Sequence, residues 1–227
     1  MQRLRSVAQA VSNGIGVGAQ GTLNRNDGKP SDDRRDPMSD ELHDKRVAIL
    51  FTDGVEQAEL RQPLDALREA GARIDLVSIH DGPVQAVEHG DKAGTVTVDT
   101  TVDTASADEY EGLVLPGGVS NPDKLRMNER AVSFVRDCYG AGVPIAVICH
   151  GPWTMVEAGI VDGLTITSYP SLKTDIRNAG GNWVDRETVV DRAVVSSRNP
   201  SDLPAFCTQM IRLFAQGRQR RERGLAA

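Results

Sequence analysis

The sequence of 227 residues predicts an α/β fold: a three-layer sandwich with a mostly parallel sheet and helices on both faces. Three observations predict it. Short apolar runs at 47–51, 113–115 and 144–148 each end in a turn signal or a break in hydrophobicity, as strands buried on both faces do. Segments with apolar residues at helical spacing lie between those runs. The strand–helix–strand order, in units of about 35 residues, recurs along the chain and sets parallel strands side by side with crossover helices.

In chain order, Val47, Ala48, Ile49, Leu50 and Phe51 form the first strand, closed by Thr52-Asp53-Gly54. Residues 56–70 follow as a helix, with Leu60, Leu64 and Leu67 on one face and Gly71 as its stop. Pro63 falls inside that span and removes a helix hydrogen bond, so a later start or a bend is expected. The next strand is 74–79. Leu113, Val114 and Leu115 form a short strand that runs into Pro116-Gly117-Gly118. A helix at 129–139 leads to the apolar run 144–148, which Cys149 follows directly, and another helix begins at 154–158. Val189-Val190 and Ala193-Val194-Val195 read as a hairpin around Asp191-Arg192, and an amphipathic helix at 203–215 closes the fold. No internal repeat is visible.

Residues 1–44 are rich in Gly, Asn, Ser, Asp and Arg and show little apolar periodicity after Val11, the composition of a disordered extension. Two alternatives stay open for them: a targeting segment, or a true start at Met38. The folded domain is expected over 45–216. Residues 217–227, with their Arg218-Gln219-Arg220-Arg221 cluster, read as a solvated tail.

Composition excludes several classes of function. A formal net charge of −6 repels phosphates, so neither a nucleic acid nor an anionic membrane surface is an expected partner. No run reaches the roughly 18 apolar residues of a membrane span. The three cysteines, Cys138, Cys149 and Cys207, are sparse and odd in number, which suits free thiols in a reducing cytoplasm rather than a disulfide framework. Cys/His spacing for zinc, a P-loop and a dinucleotide fingerprint are all missing, so no metal and no cofactor is expected. Cys138 and Cys207 fall on helices as packing residues, and Trp153 and Trp183 read as core or interface.

In open α/β sheets, ligands bind beyond the carboxyl ends of the strands. Three such ends carry suggestive residues here: Asp53-Gly54-Val55-Glu56, Gly117-Gly118 and Cys149-His150-Gly151. Cys149 stands between an apolar strand and Gly151-Pro152 at the start of a helix. A strand-to-helix turn pushes its central residue into a strained, exposed position. Gly151 permits close backbone approach, Pro152 suits a first helical turn, and the helix N-terminus behind the thiol is expected to lower its pKa. A small buried hydrophobe is the ordinary fate of a free cysteine; the context Ile-Cys-His-Gly-Pro-Trp favours the nucleophile.

The run Ala146-Val147-Ile148-Cys149-His150-Gly151-Pro152 resembles the nucleophile motif of the ThiJ/PfpI superfamily, whose fold is similar to the flavodoxin-like, class I glutamine amidotransferase-like sandwich. Val55-Glu56-Gln57-Ala58-Glu59-Leu60, Leu113-Val114-Leu115-Pro116-Gly117-Gly118, Thr167-Ser168-Tyr169-Pro170, Asn178-Ala179-Gly180 and Ser197-Arg198-Asn199-Pro200-Ser201-Asp202-Leu203-Pro204-Ala205-Phe206 are similar to further motifs of the superfamily, in its order. The resemblance covers roughly 45–216.

That resemblance implies Cys149 as nucleophile, His150 as general base, and Glu56 as the glutamate whose carboxyl hydrogen-bonds the sulfur. The ordinary alternative for Glu56 is a charge at a helix N-terminus. The resemblance also implies an acid that reaches the histidine from a neighbouring subunit. Asp123, in Asn121-Pro122-Asp123, falls near that position with one extra residue in the loop; its alternative is a helix cap. Backbone N–H groups at Gly117 and Gly118, and after Cys149 at Gly151, are candidate oxyanion donors, although glycine there also makes a tight turn. The downstream His-x-Glu pair of the amidotransferases is missing, which disfavours glutamine hydrolysis. The function implied is a cytoplasmic cysteine hydrolase, protease or deglycase, acting on peptides or on glyoxal- and methylglyoxal-derived adducts, as a homo-oligomer. A redox-sensing or holdase-like stress protein with an oxidisable Cys149 and little turnover is the alternative.

Overall fold

The computed structural model describes residues 41–219. The readings of a disordered extension, a targeting segment and a start at Met38 therefore lie outside the described residues, as does most of the tail.

Strand β1 (Arg46–Leu50) leads through a two-residue strand β2 (Val55–Glu56) into helix α1 (Gln57–Glu69) and strand β3 (Arg73–Ser78). A hairpin follows, β4 (Pro83–Glu88) and β5 (Asp91–Thr97), then the short strand β6 (Thr100–Thr101). Strand β7 (Gly112–Leu115), helices α2 (Ser120–Arg126) and α3 (Glu129–Gly140), strand β8 (Ile145–Ile148) and helix α4 (Pro152–Glu157) come next. The chain continues through β9 (Thr165–Ile166), α5 (Lys173–Asn178), β10 (Asn182–Trp183), β11 (Thr188–Asp191), β12 (Val194–Ser197) and α6 (Leu203–Ala215).

The central sheet has the order β11-β12-β8-β7-β1-β3-β6 and is parallel except for β11, which pairs antiparallel with β12. From β1 the chain moves outward to β3, whereas from β7 it moves to β8 on the other side, so the switch of direction lies between β1 and β7. The period of two along each strand divides the core into two layers. Ala48, Leu50, Leu113, Leu115, Ile145 and Val147 face α3 and α4; Val47, Ile49, Val114, Ala146 and Ile148 face α1 and α6. Burying a large side chain of this kind contributes about 2 kcal/mol, so any charged group on these faces requires a specific partner.

Helix α1 runs through Pro63 without a later start. The missing N–H leaves the Glu59 carbonyl without its i+4 donor, and the helix is held instead by burial of Leu60, Pro63, Leu64 and Leu67. Sequence reading passed over the β4–β5 hairpin, although its His89-Gly90 turn has φ of 52° and 95° at the two positions, as a tight two-residue hairpin requires. It also passed over α2. The folded part is slightly longer than 45–216. Leu42 is fully buried and donates its N–H to the Ala70 carbonyl, and Arg218 and Gln219, though at the surface, are hydrogen-bonded to the body.

Candidate active site

The carboxyl ends of β8, β7 and β1 are adjacent, and the loops that leave them meet around one sulfur. Cys149 follows β8 with φ of 61°, in the left-handed region that a side chain with a Cβ occupies only at a cost of about 1–2 kcal/mol. Two backbone bonds hold it there: its N–H donates to the Ser197 carbonyl at 3.1 Å, and its carbonyl accepts from the Tyr169 N–H at 2.9 Å. The strain expected of the elbow is thus present, but the expected exposure is not: Cys149 is buried, because the loops leaving β1 and β7 close over it. The site is tight: a methyl at Gly151 would stand 2.6 Å from the Leu115 carbonyl oxygen, and one at Gly117 would stand 2.6 Å from Cys149 Cβ.

His150 turns to the same side as its neighbour. Its Nδ1 is 3.2 Å from Cys149 Sγ. Adjacent residues in extended backbone point apart; the left-handed turn at Cys149 brings these two together. The imidazole is largely buried, with Tyr169 stacked on one face at 4.6 Å between centroids and the edge of Trp153 at 5.4 Å. Burial pushes its pKa down, which keeps it the neutral base near pH 7.

The carboxyl that meets the sulfur belongs to Glu59, not Glu56. Glu59 is fully buried, accepts the Gly117 N–H at 2.9 Å and lies close enough to the Cys149 thiol for the two to perturb each other's ionisation. Glu56 precedes the first turn of α1, and its buried carboxylate accepts the His89 N–H at 3.2 Å rather than meeting the sulfur. One helical turn separates the two residues, and only the later one faces the elbow. The signal for Glu59 was in the sequence: it lies four residues before Pro63 and eight before Leu67, on the apolar stripe itself. A charge on such a stripe marks a buried, partnered group.

The electrostatics differ from the expected lowered thiol pKa. Burial first, then the Glu59 charge and hydrogen bond, push the Cys149 thiol up; the N–H groups of His150 and Gly118 pull it down by less. Burial, reinforced by the charge of Glu56, raises Glu59 to about 7. Two acids so close cannot both ionise freely, so sulfur and carboxyl hold a proton between them.

The backbone donors also sort out. The Gly117 N–H is spent on Glu59 and the Gly151 N–H on the Ile148 carbonyl at 2.9 Å. Gly118, with φ of 81°, and His150 present the N–H groups that face the sulfur. A Cβ at 118 would collide with the Gly54 carbonyl oxygen. Buried Asn121 ties the loops together, accepting the Thr52 N–H at 2.7 Å and donating to the carbonyls of Pro116 and Gly117. Asp123 lies exposed in the first turn of α2, and among the described residues no hydrogen bond or ion pair joins it to His150. Sγ opens into a cleft of about 330 Å³ lined by Glu56, His89, Gly118, Val119, His150 and Tyr169, among others. No cluster of three or more His, Cys, Asp or Glu side chains able to hold a metal ion occurs among the described residues.

The DJ-1/PfpI family profile matches residues 45–213. The chain belongs to the DJ-1/PfpI family. It is similar to a deglycase of Pyrococcus abyssi, 42% identical over 169 residues, which covers 74% of this chain and 99% of that one. It is also similar to protein/nucleic acid deglycase 2 of Escherichia coli, 38% identical over 171 residues, 75% of this chain and 98% of that one. Among solved structures, a two-domain protein of Anabaena variabilis with DJ-1/ThiJ/PfpI-like and ferritin-like domains matches with a TM-score of 0.71 at 32% identity. The match covers 81% of this chain and 52% of that one, so the chain spans about half its length. This DJ-1/PfpI domain is an α/β sandwich of the kind expected, and no helix among the described residues is long and apolar enough to cross a membrane.

Proposed function

We propose that this DJ-1/PfpI chain is a cysteine hydrolase that removes glyoxal- or methylglyoxal-derived adducts, with peptide bonds as a second substrate class. The observation that carries the proposal is the contact of Cys149 Sγ with His150 Nδ1 at 3.2 Å, beside the Glu59 carboxyl. Relatives named deglycases support the substrate class. So does the cleft, which at about 330 Å³ is near the small end of ligand sites and suits an adduct on one side chain better than a folded peptide segment.

In this reading the Sγ–H proton passes to Nδ1 as sulfur attacks a carbonyl carbon. A protonated Glu59 donates to the sulfur while it is anionic, and the N–H of Gly118 stabilises the developing oxyanion. On a peptide the attacked carbon carries the nitrogen, so the carbon–nitrogen bond breaks, the amine leaves with the proton carried by His150, and one water hydrolyses the thioester to free the acid and the thiol. On an aminocarbinol adduct the sulfur instead replaces the amine at the carbinol carbon, and the amine leaves with the His150 proton. The hydrogen on that carbon then shifts to the neighbouring carbonyl carbon to turn the hemithioacetal into a thioester with no external oxidant, and one water frees the hydroxy acid and the thiol. All three cysteines are free, which fits a reducing compartment such as the cytoplasm. A role for Asp123 as the acid behind His150 belongs to this proposal only as a contact from a second copy in a homo-oligomer.

The test compares wild type with Cys149→Ala on methylglyoxal-treated N-acetyl-lysine and on a fluorogenic peptide. Amine release that needs Cys149 is the expected result, and equal rates in both proteins would dispose of the reading. Intact mass after mild peroxide separates the redox alternative: two oxygens gained on Cys149, with no turnover in untreated protein, would favour a sensor.

A further inference from the structure

The far nitrogen of the His150 ring has a partner that neither family membership nor the proposed chemistry assigns. His150 Nε2 is 3.2 Å from Ser171 Oγ. Ser171 is set in a 3-10 turn, Pro170–Leu172, that is fixed on both sides. Before it, Tyr169 donates its N–H to the Cys149 carbonyl and stacks on His150; after it, Leu172 is fully buried. The hydroxyl is therefore placed by the same loop that walls the imidazole.

A neutral imidazole carries one proton, and its site decides whether the ring can act on the thiol. For Nδ1 to accept from Sγ at 3.2 Å, the proton must sit on Nε2. Once the thiol proton has moved, both nitrogens are N–H donors. An acceptor at Nε2 serves both states, whereas a donor there would favour the unreactive tautomer. Ser171 is exposed, so its own O–H is free to point to water while Oγ accepts.

We infer that Ser171 is a positioning residue that accepts the Nε2–H of His150, fixes the tautomer that leaves Nδ1 free for the thiol, and does within one chain what a triad acid does elsewhere. The inference rests on the proposed Cys149–His150 chemistry, and its test has one readout that needs no turnover.

Ser171→Ala and Ser171→Thr are compared with wild type in two measurements. In the first, kcat and KM for the methylglyoxal adduct are followed against pH. Ser171→Ala is expected to lower kcat roughly tenfold with KM nearly unchanged, and to move the acid limb to lower pH, because the imidazolium loses an acceptor. Ser171→Thr keeps the hydroxyl and is expected to stay within about twofold of wild type. In the second, the pH dependence of Cys149 alkylation by iodoacetamide is expected to show the same displacement of the histidine limb in Ser171→Ala. Wild-type kcat and an unmoved limb in Ser171→Ala would overturn the inference, as would equal losses in the Ala and Thr variants. A loss produced by Asp123→Asn with the limb displaced, and none by Ser171→Ala, would overturn it in favour of a cross-chain acid. If wild type does not turn over at all, the hydrolase reading falls, and the alkylation profile still decides the role of Ser171.

Discussion

Two buried cysteines in this chain meet opposite fates. Cys138 is fully buried on α3, and burial pushes its thiol up to about 12, with the charge of Asp137 adding to the effect. Cys149 is only slightly less buried and its thiol is also pushed up. Low exposure and a raised pKa therefore do not separate a packing thiol from a reactive one. What separates them is the company each keeps. Around Cys138 are the apolar side chains of one core layer. Around Cys149 are a neutral imidazole, a carboxyl held near neutrality, two inward N–H groups and a cleft, on backbone held at φ of 61°.

The comparison breaks first at the level of turnover. Cys149→Ala should cost on the order of a thousandfold or more in kcat/KM, and Cys138→Ala less than about twofold, measured on the same adduct. Similar losses in the two would erase the distinction.

The next effect lies in pH dependence. Glu59 is raised in the fold from 4.5 to about 7, so the native state holds a proton that the unfolded chain has released. Stability from this group is fully present below about pH 4.5 and is lost as pH rises through about 7. The change across that window is about 3 kcal/mol. Urea unfolding at a series of pH values should show this fall in wild type and a flatter curve in Glu59→Gln. The same variant removes the carboxylate that raises the thiol, so its alkylation midpoint should move to lower pH. An unchanged midpoint would mean that Glu59 does not govern the sulfur.

The smallest effect sharpens the Cys138 side. Removing its sulfur leaves a small void in the layer formed with Phe134, Val135 and Tyr139, and Cys138→Ala should lose about 1 kcal/mol in urea unfolding. A gain in stability would show that this thiol is not a packing group.

The parallel sheet was legible because its strands are continuous apolar runs, and the elbow because Cys149 joins such a run to a helix. The β4–β5 hairpin was harder to read: its strands are partly polar and outside the main sheet, so only the His89-Gly90 turn marked it. At the site, Cys149 and His150 come together as the sequence suggested, while the glutamate differs by one helical turn. Glu56 and Glu59 are three residues apart, and which of them faces the elbow depends on where α1 begins, the least certain feature of any helix seen from sequence. Ser171 gave no signal, because its role depends on a loop folding back 21 residues after His150.

One last feature bears on how the protein is handled. A single guanidinium nitrogen of Arg218 donates to the carbonyls of Ala107, Asp108 and Tyr110, and the Gln219 N–H donates to Gly142. The family match stops at 213, five residues before this clasp. A clone trimmed to that border would take a donor from each of three carbonyls, of which Ala107 keeps the Tyr110 N–H, and unfasten the seam between the 107–110 turn and the end of α3. Purification handles and fusion joints therefore belong after residue 219.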